Sequence, residues 1–303
     1  MIKEIDNWGS ITEMDITSFG ISTALLTPFC ENGQINYPLF CKHANDLLES
    51  GADGVTIFGT TGEGASVGKD ERIIAIKALL DSGVAVDQMT LGLCASSVSD
   101  LVMEVQHVVA LGVTRFLLLP PFYFKDVEDD GLFEWHARLF EIVDPSARFI
   151  LYHIPQITHV PLSFNLVMRL RADFPDSVIA LKDSSGQWDE TRELLKSQKI
   201  PVLVGDERLL HKAAALGCAG SICGMANLYP KRIQTLFSTQ TRDADLSSCV
   251  DLIVSHHVIP ALKFAMMTVT GNPEWGYLRA PLRPLGPQAK TAIQARFYRK
   301  LVF

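Results

Sequence analysis

The sequence predicts an α/β fold, namely a (β/α)8 TIM barrel with a C-terminal helical extension. Eight short apolar runs, rich in β-branched residues, alternate with longer amphipathic segments, which is typical of parallel strands covered on both faces. Several of the amphipathic segments stop at a glycine, where helices commonly end. A chain of 303 residues is long enough for one such barrel and an appendage.

The eight runs predict strands at 22–29, 54–58, 89–95, 115–119, 148–153, 178–182, 201–204 and 220–223. Between them, the amphipathic spacing predicts helices near 37–50, 69–83, 99–111, 129–143, 163–174, 188–197 and 207–216. The serine at 163 is the expected N-cap of its helix. Each strand but the last is thus followed by one helix, which is the repeat unit of a barrel.

An open, doubly wound sheet is the alternative arrangement of such units. The glycine-rich segment 59–64 (GTTGEG) does not fit the dinucleotide fingerprint G-x-G-x-x-G. Gly68-Lys69 is not a phosphate-binding loop either, because Glu63 stands where that motif needs a glycine. The barrel is therefore the preferred prediction.

The strand pattern stops near residue 229, which suggests three parts: an N-terminal arm at 1–18, a catalytic barrel at 19–228 and a helical subdomain at 229–303. Helical spacing covers 231–238, 244–258, 261–270 and 287–301, and the proline-rich stretch 273–287 is expected to be irregular. The pair His256-His257 falls in this tail, where we expect a solvent-facing helix surface.

Composition excludes several classes of function. A net charge of −7 offers no basic surface, so no nucleic-acid partner is expected. The six cysteines and eight histidines show no zinc-site spacing, which predicts no metal site and reduced thiols. The N-terminus lacks a signal-peptide core and no apolar run could cross a bilayer, so we expect a soluble, cytoplasmic protein with no membrane partner.

Lys182 is the first candidate for chemistry, because it ends the buried sixth strand. A lysine there could simply cap the strand and reach water through its long stem. The alternative is a buried amine that attacks a carbonyl carbon and forms a Schiff base. In a barrel the active site lies at the C-terminal ends of the strands, which favours the second interpretation.

Other residues at strand ends join Lys182 as candidates. Backbone amides in the segment 59–64 could hold a carboxylate, and Tyr152 could relay protons. Asp183 and His153 should face away from their neighbours Lys182 and Tyr152, so we expect structural roles for both. The remaining candidates at strand ends are Thr60, Thr61, Tyr123, Gly205, Asp206, Glu207 and Ile222.

Three motifs carry a family resemblance: 59–63 (GTTGE), 152–155 (YHIP) and Lys182-Asp183, in this order after strands two, five and six. Together with Gly205-Asp206 and 220–222 (GSI), they resemble the dihydrodipicolinate synthase/N-acetylneuraminate lyase family of pyruvate-dependent class I aldolases. The resemblance covers about residues 20 to 301. It implies the barrel fold and a lyase acting on 2-oxo acids.

The resemblance also implies individual roles. Lys182 would form the Schiff base with pyruvate or another 2-oxo acid, and Tyr152 would move protons. Thr60 and Thr61 would bind the carboxylate through backbone N–H groups. The Thr60 hydroxyl would link Tyr152 to Tyr123 of a neighbouring subunit, which implies a homodimer or homotetramer. No cofactor is implied beyond the covalent lysine adduct.

Two departures from the family pattern bear on the substrate. His153 stands where relatives carry asparagine, and Ile157 stands where lysine-precursor synthases carry a carboxylate-binding arginine. An apolar side chain cannot make that bidentate contact. We therefore favour aldol cleavage, condensation or dehydration of a 2-oxo-3-deoxy sugar acid, with Asp206 and Glu207 binding hydroxyls. The alternatives are 4-hydroxy-tetrahydrodipicolinate synthase and a non-catalytic 2-oxo acid sensor.

Overall fold

Eight parallel strands close into a barrel in sequence order, as the sequence predicts. The computed structural model describes residues 19–297, so the proposed arm at 1–18 lies outside the described residues. The strands are β1 (Gly20–Ala24), β2 (Gly54–Ile57), β3 (Met89–Leu93), β4 (Arg115–Leu118), β5 (Arg148–His153), β6 (Val178–Asp183), β7 (Val202–Val204) and β8 (Gly220–Cys223).

Helices follow the strands and cover the barrel from outside. Seven of them are α1 (Tyr37–Glu49), α2 (Lys69–Asp81), α3 (Val98–Val109), α4 (Asp129–Ile142), α6 (Phe164–Asp173), α7 (Trp188–Ser197) and α8 (Glu207–Ala215). A single turn not expected from the sequence, α5 (Pro155–Thr158), precedes α6. Ser163 caps α6 as predicted, because its hydroxyl accepts the Leu166 amide.

The first strand is shorter than the sequence predicts and starts two residues earlier. Residues 25–29 are apolar except for Thr27, but they leave the barrel after one last bond, from the Leu25 amide to the Thr56 carbonyl. The Leu26 amide instead donates to the side chain of Asn227, and Pro28 has no amide hydrogen to donate. A side chain that is distant in sequence but follows the neighbouring strand β8 therefore replaces the strand ladder here.

The C-terminal extension is helical, as predicted, with α9 (Pro230–Thr239), α10 (Ala244–Val254), α11 (Val258–Thr270) and α12 (Pro287–Phe297). The predicted boundary between the second and third of these was wrong. Pro260 lies in the first turn of α11, where its missing N–H is not needed, so that helix starts three residues earlier than expected. The end of the last predicted helix lies beyond the described residues.

Two apolar layers support the barrel. The larger layer fills the space between strands and helices. The smaller one fills the barrel interior and includes Leu117, Ile150, Ala180 and Leu203. Among the described residues, no helix combines the length and the apolar character that a membrane span requires. The division of the chain at residues 19 and 229 and its cytoplasmic location stay predictions.

Candidate active site

Lys182 and Tyr152 lie side by side at the C-terminal end of the barrel. In the parallel register of β5 and β6, Tyr152 pairs with Lys182 and His153 pairs with Asp183. Since alternate side chains of a strand point to opposite faces, the first pair shares one face. The Lys182 Nζ atom lies 4.1 Å from the centroid of the Tyr152 ring, and the residues are only 5% and 3% exposed.

The neighbouring pair faces the surrounding helices, as expected. The Asp183 carboxylate accepts hydrogen bonds from the Ser185 amide, at 2.9 Å, and from the Thr191 hydroxyl of α7, at 2.5 Å. His153 accepts the Leu162 amide through Nδ1 at 3.1 Å. Burial lowers the pKa of His153, which keeps its ring neutral. The asparagine-to-histidine departure thus leaves the lining of the candidate site unchanged.

The glycine-rich turn after β2 brings Thr60 to the same place. Its hydroxyl lies 3.4 Å from the Tyr152 hydroxyl, within hydrogen-bond range. Glycine is needed at position 64, because a Cβ atom there would lie 1.8 Å from the Phe58 carbonyl oxygen. The turn is also held by the Thr27 hydroxyl, which donates to the Gly62 carbonyl at 2.6 Å. Packing and glycine together fix the position of the Thr60 hydroxyl.

The amides of Thr60, Thr61 and Gly62 make no hydrogen bond to another residue between 19 and 297, whereas the amides of Glu63 and Gly64 each make one. Glu63 donates to the Thr60 carbonyl, and Gly64 donates to the Gly59 carbonyl, both at 3.1 Å. Adjacent amides left open in a tight turn form a concave site for an anion. A substrate carboxylate would fit this site.

These groups open into a cavity of about 440 Å³. Its floor includes Ala24, Thr60, Thr61, Tyr152, Lys182 and Ile222. One wall comes from the loops after β5 to β7 and is largely polar, with Gln156, Ser184, Ser185, Asp206 and Arg208. A second wall comes from α10 and α11 and is apolar, with Val250, Ile253, Val254, Val258, Ile259 and Leu262. The cavity therefore offers a polar and an apolar face above one reactive floor.

His256 and His257 also line this cavity, contrary to the expectation of a solvent-facing helix surface. They lie in the turn between α10 and α11, with His256 half-buried and His257 exposed. Sequence reasoning missed them because the helical spacing continues across the turn. Two histidines directly before a proline-containing helix start were the signal that could have located them.

The four candidates in or directly after β7 and β8 all line the cavity. Three of them already have hydrogen-bond or ion-pair partners within the chain. The Asp206 carboxylate caps α8 and pairs with Arg208, at 2.6 Å. The buried Glu207 carboxylate accepts the Met225 amide at 2.7 Å, and burial raises its pKa. Gly205 donates its amide to the Asp183 carbonyl. Ile222 forms part of the floor. Because the carboxylates of Asp206 and Glu207 already have partners within the chain, their binding of substrate hydroxyls stays a prediction.

Tyr123 is the one candidate that the fold of a single chain does not bring to the cavity. Its side chain is 76% exposed and contacts the neighbouring Phe124 ring, with centroids 5.5 Å apart. The link from Thr60 to a second tyrosine is therefore not made within one chain. The role of Tyr123 in a neighbouring subunit stays a prediction.

Between residues 19 and 297, no three His, Cys, Asp or Glu side chains are grouped as metal ligands. The candidate site is built instead from an amine, a phenol, a threonine hydroxyl and open amides. This set can hold a 2-oxo acid and form an imine with it.

Comparison with known proteins agrees with this geometry. Residues 17–299 match the model of the "Dihydrodipicolinate synthetase family", which is nearly the whole chain. The chain belongs to this family. A family relative from Chloroflexus aurantiacus, named "Uncharacterized DapA-like lyase", is 32% identical over 92% of this chain and 96% of its own. A 4-hydroxy-tetrahydrodipicolinate synthase from Phocaeicola vulgatus is 26% identical over 84% and 83% of the two chains.

Solved structures of the family share the fold. The crystal structure of dihydrodipicolinate synthase from Agrobacterium tumefaciens is 37% identical, with a TM-score of 0.90 over 94% of this chain and 100% of that chain. YagE from Escherichia coli, solved in complex with pyruvate, is 20% identical, with a TM-score of 0.80 over 91% and 96% of the chains. As a member of this family, the chain is a pyruvate-dependent lyase of the class I aldolase type.

Proposed function

We propose that the protein is a Schiff-base lyase that cleaves, condenses or dehydrates a 2-oxo-3-deoxy sugar acid, with Lys182 as the covalent residue. One observation carries this proposal. The Lys182 amine and the Tyr152 ring lie 4.1 Å apart on the floor of a cavity, close to the open amides of Thr60 and Thr61. The pyruvate complex of YagE supports pyruvate as the 2-oxo acid fragment.

The reaction begins when the neutral Lys182 amine attacks the C2 carbonyl carbon of the substrate. One proton of the amine and one from an acid are transferred to the carbonyl oxygen, which leaves as water, and a protonated imine (iminium ion) remains on Nζ. Tyr152 would give and take these protons, a role supported by its hydroxyl lying 3.4 Å from the Thr60 hydroxyl. The amides of Thr60 and Thr61 bind the substrate carboxylate.

The iminium nitrogen then accepts an electron pair from the substrate. When the C3–C4 bond breaks, the C4 hydroxyl loses its proton and becomes an aldehyde, and the enamine of pyruvate stays on Lys182. Protonation of C3 and addition of water release pyruvate and free the lysine. If instead C3 loses a proton and the C4 hydroxyl leaves as water, the same adduct leads to dehydration.

The two-faced cavity supports a sugar acid. Such a chain carries both hydroxyl groups and C–H groups, and the cavity offers a polar wall and an apolar wall above the same floor. Ser184 and Ser185 line the cavity on the loop after β6, shortly after Lys182, and their hydroxyls are better suited to this contact than the Glu207 carboxylate, which already accepts the Met225 amide. We therefore expect them to contact hydroxyls beside Asp206.

A second candidate is 4-hydroxy-tetrahydrodipicolinate synthase, because several relatives that are 26–29% identical carry that name. Ile157 counts against it, since this residue lines the cavity and is 58% exposed where an incoming carboxylate would need a cation. Arg208, the arginine of the cavity wall, is paired with Asp206 and Asp251. Efficient turnover of pyruvate with aspartate semialdehyde would place this candidate first.

Borohydride reduction in the presence of pyruvate tests the Schiff base. We expect mass spectrometry of peptides to find the reduced adduct on Lys182, and K182R to give no adduct. Y152F keeps the amine, so it should still be trapped while its turnover falls by about 10²–10⁴-fold. A wild-type protein that binds pyruvate without forming an adduct would support the sensor instead. Pyruvate release from a panel of 2-oxo-3-deoxy acids then identifies the substrate.

A further inference from the structure

A second buried lysine lies behind the turn that presents Thr60 and Thr61. Lys263 of α11 forms an ion pair with Glu63 of that turn, and their side chains are 1% and 0% exposed. Removing two charges from water costs free energy, so a buried ion pair adds little net stability compared with apolar residues of similar size. Removing one partner afterwards is strongly destabilising, because it leaves a buried charge unpaired. The presence of the pair directly behind a candidate anion site therefore suggests a role in binding.

The backbone of the turn depends on Glu63. This residue adopts a left-handed conformation with φ 56°, which is unfavourable for a residue other than glycine. Its carboxylate is held by Lys263 and accepts the Arg279 amide at 3.4 Å. The Glu63 amide in turn closes onto the Thr60 carbonyl. Contacts to a side-chain oxygen at position 63, which a glutamine would also offer, thus maintain the turn that leaves the preceding amides open.

Lys263 connects the turn to the apolar wall of the cavity. Its amine also donates to the Tyr277 carbonyl at 2.8 Å and lies 4.3 Å from the centroid of the Phe29 ring. The residue before it, Leu262, lines the cavity and packs against Gly224. Burial lowers the pKa of Lys263 to about 8, and Glu63 opposes this shift. The amine is therefore held charged at neutral pH by its acidic partner.

The charge balance matters because the substrate is an anion. Glu63 lies two residues after Thr61, and its carboxylate is shielded from water. In such a low-dielectric position, an uncompensated negative charge would repel a carboxylate bound at the Thr60 and Thr61 amides. A cation beside it removes this repulsion while leaving the contacts that fix the turn.

We propose that Lys263 is a positioning residue of the carboxylate site: by neutralising Glu63 it lets the turn bind the carboxylate of a 2-oxo acid. This inference rests on the proposed Schiff-base function. It concerns binding of the substrate and not the chemical step, because Lys263 does not line the cavity. If the pair only packs, replacing either residue should weaken pyruvate binding to a similar extent. If the pair balances charge, replacing Lys263 should weaken binding and replacing Glu63 should not.

The test measures, near pH 7, the pyruvate concentration that half-saturates borohydride trapping on Lys182. We expect K263M, which leaves the anion, to raise this concentration by about tenfold or more. E63Q, which leaves the cation, should not raise it. The double variant E63Q/K263M should return to within about threefold of the wild type. The exposed pair of Lys42 and Asp46 supplies the control, since K42M should change nothing.

Similar increases in E63Q and K263M, or no change in either, would overturn the proposal in favour of packing. If K263M does not fold, the double variant replaces it, because two neutral side chains leave no unpaired buried charge. The half-saturating pyruvate concentration of E63Q, which keeps the cation, should then be lower than that of the double variant by about threefold or more. Equal concentrations in the two variants would refute charge balance. Failure of the wild type to be trapped would instead refute the Schiff-base function itself.

Discussion

At the scale of the residue, burial decides which side chains are available for chemistry. Lys182 has no carboxylate partner among residues 19–297 and contacts the Tyr152 ring, whereas the equally buried Lys263 is paired with Glu63. A paired amine is protonated and cannot attack a carbonyl carbon. The environments of the two lysines therefore support the proposed covalent role of Lys182 and the proposed electrostatic role of Lys263.

Buried histidines make the stability of the fold sensitive to acid. Burial lowers the pKa of His136 and of His43 to about 4, below the usual value of about 6.5. Both are neutral in the folded protein, so the unfolded chain binds more protons between these values. The stability contribution is complete above about pH 6.5 and is lost as the pH falls towards about 4.

We therefore expect H136Q to weaken the acid dependence of stability. From about pH 7 to about pH 5, one such histidine costs about 2 kcal/mol of unfolding free energy. Urea unfolding at the two pH values should show that H136Q loses less unfolding free energy than the wild type, and the difference should be this amount. The exposed His107 is the matched control, and an equal reduction in H107Q would contradict the explanation.

At the scale of the element, the end of one helix and the start of the next shape the cavity mouth. The turn between α10 and α11 brings His256 and His257 to the same cavity as the loops after β5 to β7. The floor that would hold the pyruvyl part is made by other elements. Under the proposed function, the far part of the substrate and the 2-oxo acid part would thus be recognised by different segments of the chain.

This separation predicts that changes in the turn alter selectivity and not adduct formation. We expect H256A and H257A to raise KM for a 2-oxo-3-deoxy sugar acid by about 2- to 10-fold, the effect of losing a hydrogen bond. Borohydride trapping of pyruvate should stay unchanged. S248A, an exposed change on α10, is the control. A parallel loss of pyruvate trapping would show that the turn supports the floor instead.

At the scale of the whole molecule, Tyr123 stays separate from the cavity of its own chain. A large aromatic pair, Tyr123 and Phe124, is exposed at 76% and 60%, on the loop after β4. The Lys125 amine ties this loop to the Thr158 carbonyl at 2.8 Å, so the pair is presented in a defined position. Exposed apolar surface of this kind is commonly covered by another chain.

We predict a homodimer or homotetramer in which Tyr123 completes the site of a neighbouring subunit. Light scattering should give a multiple of the chain mass of 33.4 kDa. Y123F keeps the ring and should keep the assembly, but its kcat should fall by about 10- to 100-fold if the hydroxyl relays protons. F124A tests the contact surface alone. A fully active monomer would contradict the prediction.

Much of the fold and part of the site were predictable from the sequence. Strands buried on both faces leave continuous apolar runs, so all eight were found, and Lys182, Tyr152, Thr60 and Thr61 follow from the position of strand ends. The early end of β1 was not predictable, because Asn227 supplies the bond that ends it. The start of α11 was missed because a proline in a first helical turn resembles a break.

The sequence by itself determined the barrel, the order of its strands and the motifs that lie at their C-terminal ends, because these depend on local periodicity and on the residue types at each position. Only the tertiary structure decided that the Glu207 carboxylate accepts the Met225 amide, that His256 lines the cavity and that Lys263 pairs with Glu63. Contacts between distant parts of a chain leave no periodic signal. They are set by how the strands and helices pack once the barrel closes.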